Sequence, residues 1–106
     1  MIHIRYNLGI NTDISCVFDP QKNIELMTTR GIGFEEVVYA IHNDNVLDLV
    51  QHPNDAKYPD QYVLIVEIEG YAYQVPFRYE GENIRLITVF PSRKCTKQYL
   101  GGEQND

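Results

Sequence analysis

Apolar residues recur along the first half of the chain with the period of an α-helix. Asp19 can cap a first helical turn and Pro20 suits the first helical position, where no backbone N–H is needed, so a helix is predicted to start there. Gly31 is placed to end this helix. From Phe34 to Ile41 apolar residues return every three or four positions, which predicts a second, amphipathic helix.

The second half of the chain changes to the short apolar and alternating runs that are typical of strands. A polar segment over Gln51–Gln61 contains two prolines and predicts a loop. The predicted strands are Val46–Val50, Tyr62–Glu69, Tyr71–Tyr79 and Ile84–Phe90. We therefore expect an α+β fold in which two N-terminal helices pack on one face of an antiparallel sheet of about four strands.

The two ends of the chain have weaker patterns. Ile2–Tyr6 and Ile14–Phe18 are further apolar runs and are candidates for a hairpin. Ser92–Leu100 fits either a short helix or an extended arm. The chain has 106 residues, enough for one hydrophobic core, so residues 1–100 are predicted to form a single domain and 101–106 a disordered tail.

Turn lengths determine which strand residues share a face of the sheet. A loop over Glu80–Asn83 places Arg78 opposite Arg85 whether two or four residues close it. A two-residue turn of Gly70 and Tyr71 is predicted to join the two preceding strands. Because side chains alternate along a strand, one face is polar and holds Glu67, Glu69, Gln74, Arg78 and Arg85. The other face packs on the helices and holds Tyr62, Leu64, Val66, Ile68, Val75, Phe77, Leu86 and Phe90.

Two arginines directly opposite each other repel and destabilise a sheet. An anion bound between Arg78 and Arg85 would remove that penalty, so the pair is a candidate anion site. Three alternatives remain open. The two side chains splay apart, Glu67 or Glu80 neutralises them, or a three-residue loop moves Arg85 to the other face.

Composition narrows the class of protein. Apolar residues make up 43% and charged residues 23%, as in ordinary globular domains, and the longest apolar run, Tyr62–Val66, is far too short to cross a membrane. Met1–Ile14 lacks the pattern of a signal peptide. The two cysteines, Cys16 and Cys95, are too isolated for a disulfide scaffold or a zinc site, so we expect reduced thiols in a cytoplasmic protein without a metal or cofactor.

Charge is distributed unevenly along the chain. Nine basic and fifteen acidic residues give a net charge of −6, which argues against generic binding to nucleic acids. The segment Arg85–Leu100 nevertheless contains four basic residues and no acid. A local anion site therefore remains compatible with the acidic chain.

One segment carries a specific resemblance. Phe18–Val37, with the sequence FDPQKNIELMTTRGIGFEEV, resembles the opening of the BrnT-like toxins, which belong to the RelE superfamily of ribonucleases from bacterial type II toxin–antitoxin modules. Arg30 stands where that family usually has histidine. The later strand pattern and basic end are similar to small toxins of the same group, so the resemblance covers about residues 17–100. The matching positions are Phe18, Asp19, Pro20, Lys22, Arg30, Gly31, Phe34, Glu35 and Glu36.

The resemblance implies a RelE-like fold and a metal-independent endoribonuclease that cleaves mRNA, inhibits translation and is neutralised by a cognate antitoxin. In this reaction an RNA 2′-hydroxyl attacks the neighbouring phosphate. It requires a base for the hydroxyl, cations for the charged phosphorane and an acid for the leaving oxygen. The implied partners are an antitoxin protein and RNA, free or on the ribosome. No membrane and no cofactor are expected.

Candidate residues follow from that chemistry. Arg78 and Arg85 are the first candidates for stabilising the transition state, because a guanidinium matches two phosphate oxygens at once. Glu67 is a candidate base, and Tyr99 is a candidate acid, base or base-stacking residue. The candidate RNA contacts are Arg93, Lys94, Lys22, Arg30 and His52.

Each candidate also has a structural interpretation, as a surface pair, a salt-bridge partner, a packed tyrosine or a solvated charge. Function has an alternative as well: a catalytically silent binding module of the same fold that holds a DNA-binding partner protein. The net charge of −6 favours this alternative, because an acidic surface suits a basic partner. A metabolic enzyme has no motif in its favour.

Overall fold

Three helices and six strands make up residues 15–101, which are the residues that the structure, a computed structural model, describes. The predicted α+β class is confirmed. In chain order the elements are β1 (Ser15–Val17), α1 (Pro20–Arg30), α2 (Phe34–His42), β2 (Val46–Gln51), β3 (Tyr62–Ile68), β4 (Tyr71–Glu80), β5 (Asn83–Leu86), β6 (Phe90–Pro91) and α3 (Arg93–Leu100). No helix within this range is long and apolar enough to span a bilayer.

The strands form one mixed sheet in the order β1-β5-β4-β3-β2, and β6 pairs with the beginning of β4. Strands β2 to β5 are antiparallel and correspond to the four predicted runs. The expectation of about four strands is incomplete, because β1 adds a parallel strand beside β5 and β6 adds a short antiparallel one. The predicted hairpin partner of β1, Ile2–Tyr6, lies outside the described residues, as do residues 102–106.

Local polar contacts explain where α1 and α2 begin and end. The Asp19 carboxylate accepts the Gln21 backbone N–H at 3.0 Å, and Gly31 ends α1 with a φ of 72°, a left-handed conformation that glycine adopts without strain. Gly33 precedes α2 and has no side chain to cap it. Asn23 of α1 supplies that cap, since its Oδ1 accepts the Phe34 N–H at 2.6 Å.

Helices α1 and α2 cover one face of the sheet and enclose the main core. Because apolar positions on the helices and on alternate strand residues meet there, Phe34, Leu64 and Phe77 are almost fully buried. The buried residues of this core are Leu26, Ile32, Phe34, Val37, Ala40, Ile41, Val46, Leu64, Val66, Val75, Phe77, Ile84, Leu86 and Val89.

Helix α3 covers part of the opposite face, which resolves Ser92–Leu100 as a helix. A second, smaller core forms beneath it from Val63, Ile65, Ala72 and Cys95, with Leu47, Tyr99 and Leu100 packed around them. A bulge between Val46 and Asp48 turns Leu47 and Asp48 towards this same face. The predicted polar face is therefore half covered by apolar packing.

The hairpin between β3 and β4 turns one residue earlier than predicted. Glu69 and Gly70, with φ values of 53° and 82°, form the two-residue turn, so Ile68 pairs with Tyr71. Glu67 consequently lies opposite Ala72. Because the register moves by two residues, the side chains of β3 and β4 keep their predicted faces.

Phe90 is an exception to the predicted faces. The chain leaves β5 at Leu86 and pairs again only at Phe90, which lies opposite Gln74 on the α3 side of the sheet. The irregular residues between them break the alternation on which the prediction depended. The placement of Phe90 on the α1–α2 face is therefore wrong.

Candidate functional site

Two neighbouring cavities form a groove on the α3 side of the sheet. The larger has a volume of about 450 Å³ and the smaller about 180 Å³. Pro53, Val63 and Gln74 line both cavities, so the two cavities are adjacent. We call the two cavities together the groove.

The larger cavity lies between the loop after β2 and the segment before β6. His52, Tyr58 and Phe90 contribute rings to its walls, and the ring centroids of His52 and Tyr58 are 4.7 Å apart. Gln61 and Thr88 contribute polar side chains. An apolar cavity with a few polar groups is the usual form of a small-ligand site.

The smaller cavity is bounded by α3. Lys94, Cys95, Gln98 and Tyr99 of that helix line it. Lys94 thus provides a cationic side chain at this end of the groove.

Tyr99 is held in place by a hydrogen bond and does not present a free hydroxyl. Its O–H donates to Asp48 Oδ2 at 2.5 Å, and this bond, followed by partial burial and the charge of Asp48, raises the pKa of Tyr99 to about 12. A phenol with that pKa keeps its proton at neutral pH. Tyr99 therefore joins α3 to β2, and the proton-transfer role expected for it has no support in this geometry.

Four polar residues form a row across four strands at the other end of the groove. Arg78 lies directly opposite Arg85, as predicted from the loop length. Tyr62, the first residue of β3, pairs with Phe77, and Gln61 directly precedes β3, so extending the register places Gln61 beside Arg78. His52 donates its backbone N–H to the Gln61 carbonyl at 3.1 Å, which continues the row to the strand beyond.

These four residues, His52, Gln61, Arg78 and Arg85, are called the cross-strand row below. All of them lie on the α3 side of the sheet, because His52 and Gln61 line the larger cavity and Arg78 is two residues beyond Pro76, which also lines it. Neighbouring strands are about 4.8 Å apart, so the row spans roughly 14 Å between backbones. Arg78 lies about 7 Å along β4 from Pro76.

Glu80 neutralises one of the two arginines, which is one of the alternatives left open by the sequence. The Glu80 carboxylate accepts hydrogen bonds from Nε and Nη2 of Arg85 at 2.8 and 3.2 Å. The hydrogen bond lowers the pKa of Glu80 and raises the pKa of Arg85, with the nearby charge of Arg78 lowering the Glu80 pKa further. Within residues 15–101, exposed Arg78 has neither an ion pair nor a hydrogen bond from its guanidinium, so this cation is open to an anion.

The structure separates Glu67 from the arginines. Glu67 is on the same face, but its partner Ala72 is six residues along β4 from Arg78, a distance of about 20 Å. Glu67 therefore cannot act as a base on a group bound at Arg78. Its proposed catalytic role depended on a register that would have kept it closer.

Two of the candidate RNA contacts lie on the wrong side of the sheet to join the groove. Lys22 and Arg30 belong to α1, which packs on the opposite face. Arg30 instead donates from Nη1 to the Val89 carbonyl at 2.6 Å and so holds the segment before β6. Arg93 is the exposed first residue of α3 and does not line either cavity.

Several groove residues had no signal in the sequence. Tyr58 and Gln61 lie in a polar loop whose composition predicts only irregular structure, and Thr88 lies in a segment predicted as regular strand. They meet only because the loop after β2 folds back over the sheet. Their types alone indicate neither binding nor catalysis.

The motif behind the family resemblance is largely explained by helix ends. Asp19, Pro20 and Gly31 begin and end α1, while Glu36 accepts the Gly33 N–H at 3.0 Å in the first turn of α2. Such residues specify a local fold and do not reach the groove. The resemblance therefore bears on architecture more than on chemistry.

Comparisons with family models, curated proteins and solved structures find no match to this chain. Among residues 15–101, no three His, Cys, Asp or Glu side chains are grouped so that they could hold a metal ion. The functional argument consequently depends on the groove and the cross-strand row.

Proposed function

We propose that this protein is the toxin of a type II toxin–antitoxin module, a metal-independent endoribonuclease that cleaves mRNA and is neutralised by a cognate antitoxin. The observation that carries the proposal is the cross-strand row, which places Arg78 and Arg85 on the α3 side of the sheet, beside the larger cavity that His52 and Gln61 of the same row line. An RNA strand has compact anionic phosphates joined to flat bases. A groove with apolar walls and guanidinium groups at its end is complementary to that combination.

Arg78 is the proposed phosphate ligand. Its guanidinium is exposed and can donate two parallel hydrogen bonds to the non-bridging oxygens of one phosphate. These bonds strengthen as negative charge accumulates on the phosphorane, which stabilises the transition state. Lys94, at the other end of the groove, is the proposed contact for a neighbouring phosphate.

Glu80 is the proposed base in place of Glu67. In the free protein it is bound to Arg85, and that bond lowers its pKa. A phosphate that binds both arginines would replace the carboxylate on Arg85 and allow the Glu80 pKa to return towards its ordinary value. The released carboxylate then takes the 2′-hydroxyl proton as the 2′-oxygen bonds to phosphorus, and the 5′-oxygen leaves with a proton from water.

His52 fits a binding role and does not fit the role of the base. Its Nδ1 accepts the Asn54 backbone N–H at 3.0 Å, so the neutral ring has its proton on Nε2. Nε2 therefore donates a hydrogen bond. An RNA phosphate or base oxygen in the groove is a suitable acceptor for it.

The roles of Glu80 and Arg78 can be separated by substitution. Glu80→Gln should lower the cleavage rate of an RNA oligonucleotide by about 100-fold or more, the usual loss when a base is removed. It should leave binding to a non-cleavable 2′-deoxy analogue unchanged or tighter, because the group that competes with phosphate for Arg85 has lost its charge. Arg78→Ala should weaken binding and cleavage together.

Matched controls are available in the same region. Glu82→Gln removes an exposed carboxylate from the turn after β4, and Lys97→Ala removes an exposed cation from α3, with neither residue in the row or the groove. Both controls should cleave RNA at the rate of the unmodified protein. Cleavage at that rate by Glu80→Gln would contradict its assignment as the base.

The second candidate function is the catalytically silent binding module that holds a DNA-binding partner protein. The ion pair between Glu80 and Arg85 supports it, since among residues 15–101 it leaves Arg78 as the one arginine of the row without an ion pair, and the net charge of −6 suits a basic partner. Inducible expression in bacteria, with and without the adjacent small open reading frame, separates the two. Growth arrest with RNA cleavage that the neighbour relieves supports the toxin, whereas intact RNA and a stable complex with the neighbour's product support the binding module.

A further inference from the structure

The larger cavity of the groove contains polar atoms that the rest of the described chain leaves without a partner. Within residues 15–101, the Gln61 side-chain amide and the Thr88 hydroxyl make no hydrogen bond, and Nε2 of His52 makes none either. These groups line a cavity whose other walls are largely apolar. Half-buried polar atoms that line an apolar cavity are available to a ligand that enters it.

Gln74 presents a fixed acceptor at the boundary of the two cavities. Its Nε2 donates to Ser92 Oγ at 3.3 Å and approaches Cys95 Sγ at 3.4 Å, both at the start of α3. This orients the amide so that Oε1 is the atom left for a ligand. An acceptor held in this way favours a ligand that brings an N–H donor.

The aromatic walls identify the kind of ligand. His52 and Tyr58 lie on one side of the cavity, and Phe90 lies beside Gln74 in the sheet. Aromatic rings that stack on a flat group, together with amides that read its edge, are the usual way in which proteins bind an unpaired RNA base. Arg78, about 7 Å from Pro76 at the floor of the cavity, would hold the phosphate of the same strand.

We propose that the larger cavity is a subsite for one unpaired nucleobase, and that Gln74 makes it prefer bases with an exocyclic amino group over uracil. Adenine, cytosine and guanine carry such a group, whereas uracil offers only its ring N3–H, and the two carbonyl oxygens beside that N–H would be held against Gln74 Oε1 and repelled by it. The inference rests on the proposed function for its substrate class, RNA. It adds a specificity that the arginines, which bind any phosphate, cannot supply.

Binding can be measured without cleavage. Isotope-labelled protein is titrated with the four nucleoside 5′-monophosphates, and amide resonances report both affinity and location. We expect the adenosine, cytidine and guanosine nucleotides to shift resonances of Tyr58, Gln61 and Thr88 and to bind about tenfold more tightly than the uridine nucleotide. Inorganic phosphate, the control ligand, should shift only the region of Arg78 and Arg85.

Three substitutions test the subsite. Tyr58→Ala should weaken the binding of all four nucleotides by about tenfold, because stacking on the ring is lost. Tyr39→Ala is the control: it removes an exposed ring from α2 on the other side of the sheet and should leave nucleotide binding unchanged. Gln74→Met should reduce the difference in affinity between the uridine nucleotide and the other three nucleotides to about twofold. If Gln74→Met disturbs the packing of α3, Thr88→Val removes a cavity hydroxyl without touching that helix.

The outcomes distinguish this inference from the proposed function. Base-selective binding that Tyr58→Ala weakens, in a protein that cleaves no RNA, would support the subsite and overturn the ribonuclease. RNA cleavage combined with equal affinities for all four nucleotides, and no effect of Tyr58→Ala, would overturn the subsite and leave the ribonuclease standing. Nucleotide shifts confined to the arginines would also overturn the subsite.

Discussion

Asn23 connects the first two helices through a single buried side chain, and removing it should be costly. Its Oδ1 accepts the Phe34 N–H at 2.6 Å, and its Nδ2 donates to Glu35 Oε1 at 3.1 Å. Phe34 is fully buried, and Gly33 before it has no side chain that could replace the acceptor. In Asn23→Ala the first N–H of α2 would therefore be buried without a partner.

The magnitude follows from these contacts. A buried donor left without an acceptor costs about 1–3 kcal/mol, and this figure already includes the lost helix cap, because the two descriptions refer to one hydrogen bond. The half-exposed bond to Glu35 adds about 0.5 kcal/mol. We expect Asn23→Ala to lower the free energy of unfolding by about 1.5–3.5 kcal/mol, which corresponds to a fall in Tm of roughly 6–28 °C for a domain of this size.

Urea unfolding followed by circular dichroism measures this effect, and the slope m should be unchanged if only the folded state is affected. Asn54→Ala is the matched control, since Asn54 is exposed and uses only its backbone in hydrogen bonds. Asn23→Asp keeps the acceptor but places a carboxylate beside Glu35, so it should regain stability only when combined with Glu35→Gln. An Asn23→Ala protein within about 0.5 kcal/mol of the unmodified one would refute this account of how α2 begins.

Three further predictions follow from individual contacts. Gly33→Ala would place a Cβ 2.6 Å from Asn23 Oδ1 and 2.9 Å from Met27 Cγ, so it should lower the free energy of unfolding by about 1–3 kcal/mol. The loss should be smaller in a protein that already carries Asn23→Ala, because both substitutions act through the same helix cap. Urea unfolding of the single and double variants measures this, and additive losses would contradict it. Tyr99→Phe should cost about 1 kcal/mol at pH 7. Folding raises the Tyr99 pKa from 10 to about 12, so the stabilisation from its hydroxyl is present below pH 10 and is lost as the pH rises from 10 to 12. The difference in the free energy of unfolding between the unmodified protein and Tyr99→Phe should therefore become smaller over that interval. A difference that stays constant would count against the hydrogen bond to Asp48. Burial raises the pKa of Cys16 from 9 to about 11, which lowers the fraction of reactive thiolate. Alkylation of this thiol at pH 8 should therefore be about 100-fold slower in the folded protein than in urea. Mass spectrometry of the Cys16 peptide follows the reaction, and equal rates would show that the thiol is not buried.

Part of the candidate site could be predicted from the sequence because it depends on a short loop. Whether two or four residues close the turn after β4, Arg78 and Arg85 are opposite each other, and the structure has them so. Neutralisation by Glu80 was one of the alternatives that the sequence left open, and the structure shows it for Arg85. Glu67 lies further from this pair than predicted because the turn between β3 and β4 forms one residue earlier. Residue propensities do not determine which of these two turns forms.

The rest of the site required the path of the chain in three dimensions. His52 reaches the row because β2 lies beside β3, three strands from the β5 strand of Arg85, and Tyr99 faces Asp48 because a bulge in β2 turns that carboxylate towards α3. A bulge is a property of how two strands fit together, and no local pattern marks it here. The placement of Phe90 failed for the same reason, since the irregular residues before it interrupt the alternation of the strand.

The sequence by itself determined the α+β class, the ends of α1 and the pairing of the two arginines. These features depend on interactions within a few residues along the chain, namely helix caps, the helical period and the length of a tight turn. The tertiary structure alone decided which side chains line the groove and which side-chain atoms of Gln74 and His52 have no hydrogen-bond partner within residues 15–101. Those facts depend on contacts between segments that are distant in the sequence, and their geometry is set by the packing of α3 and the loop after β2 on the sheet.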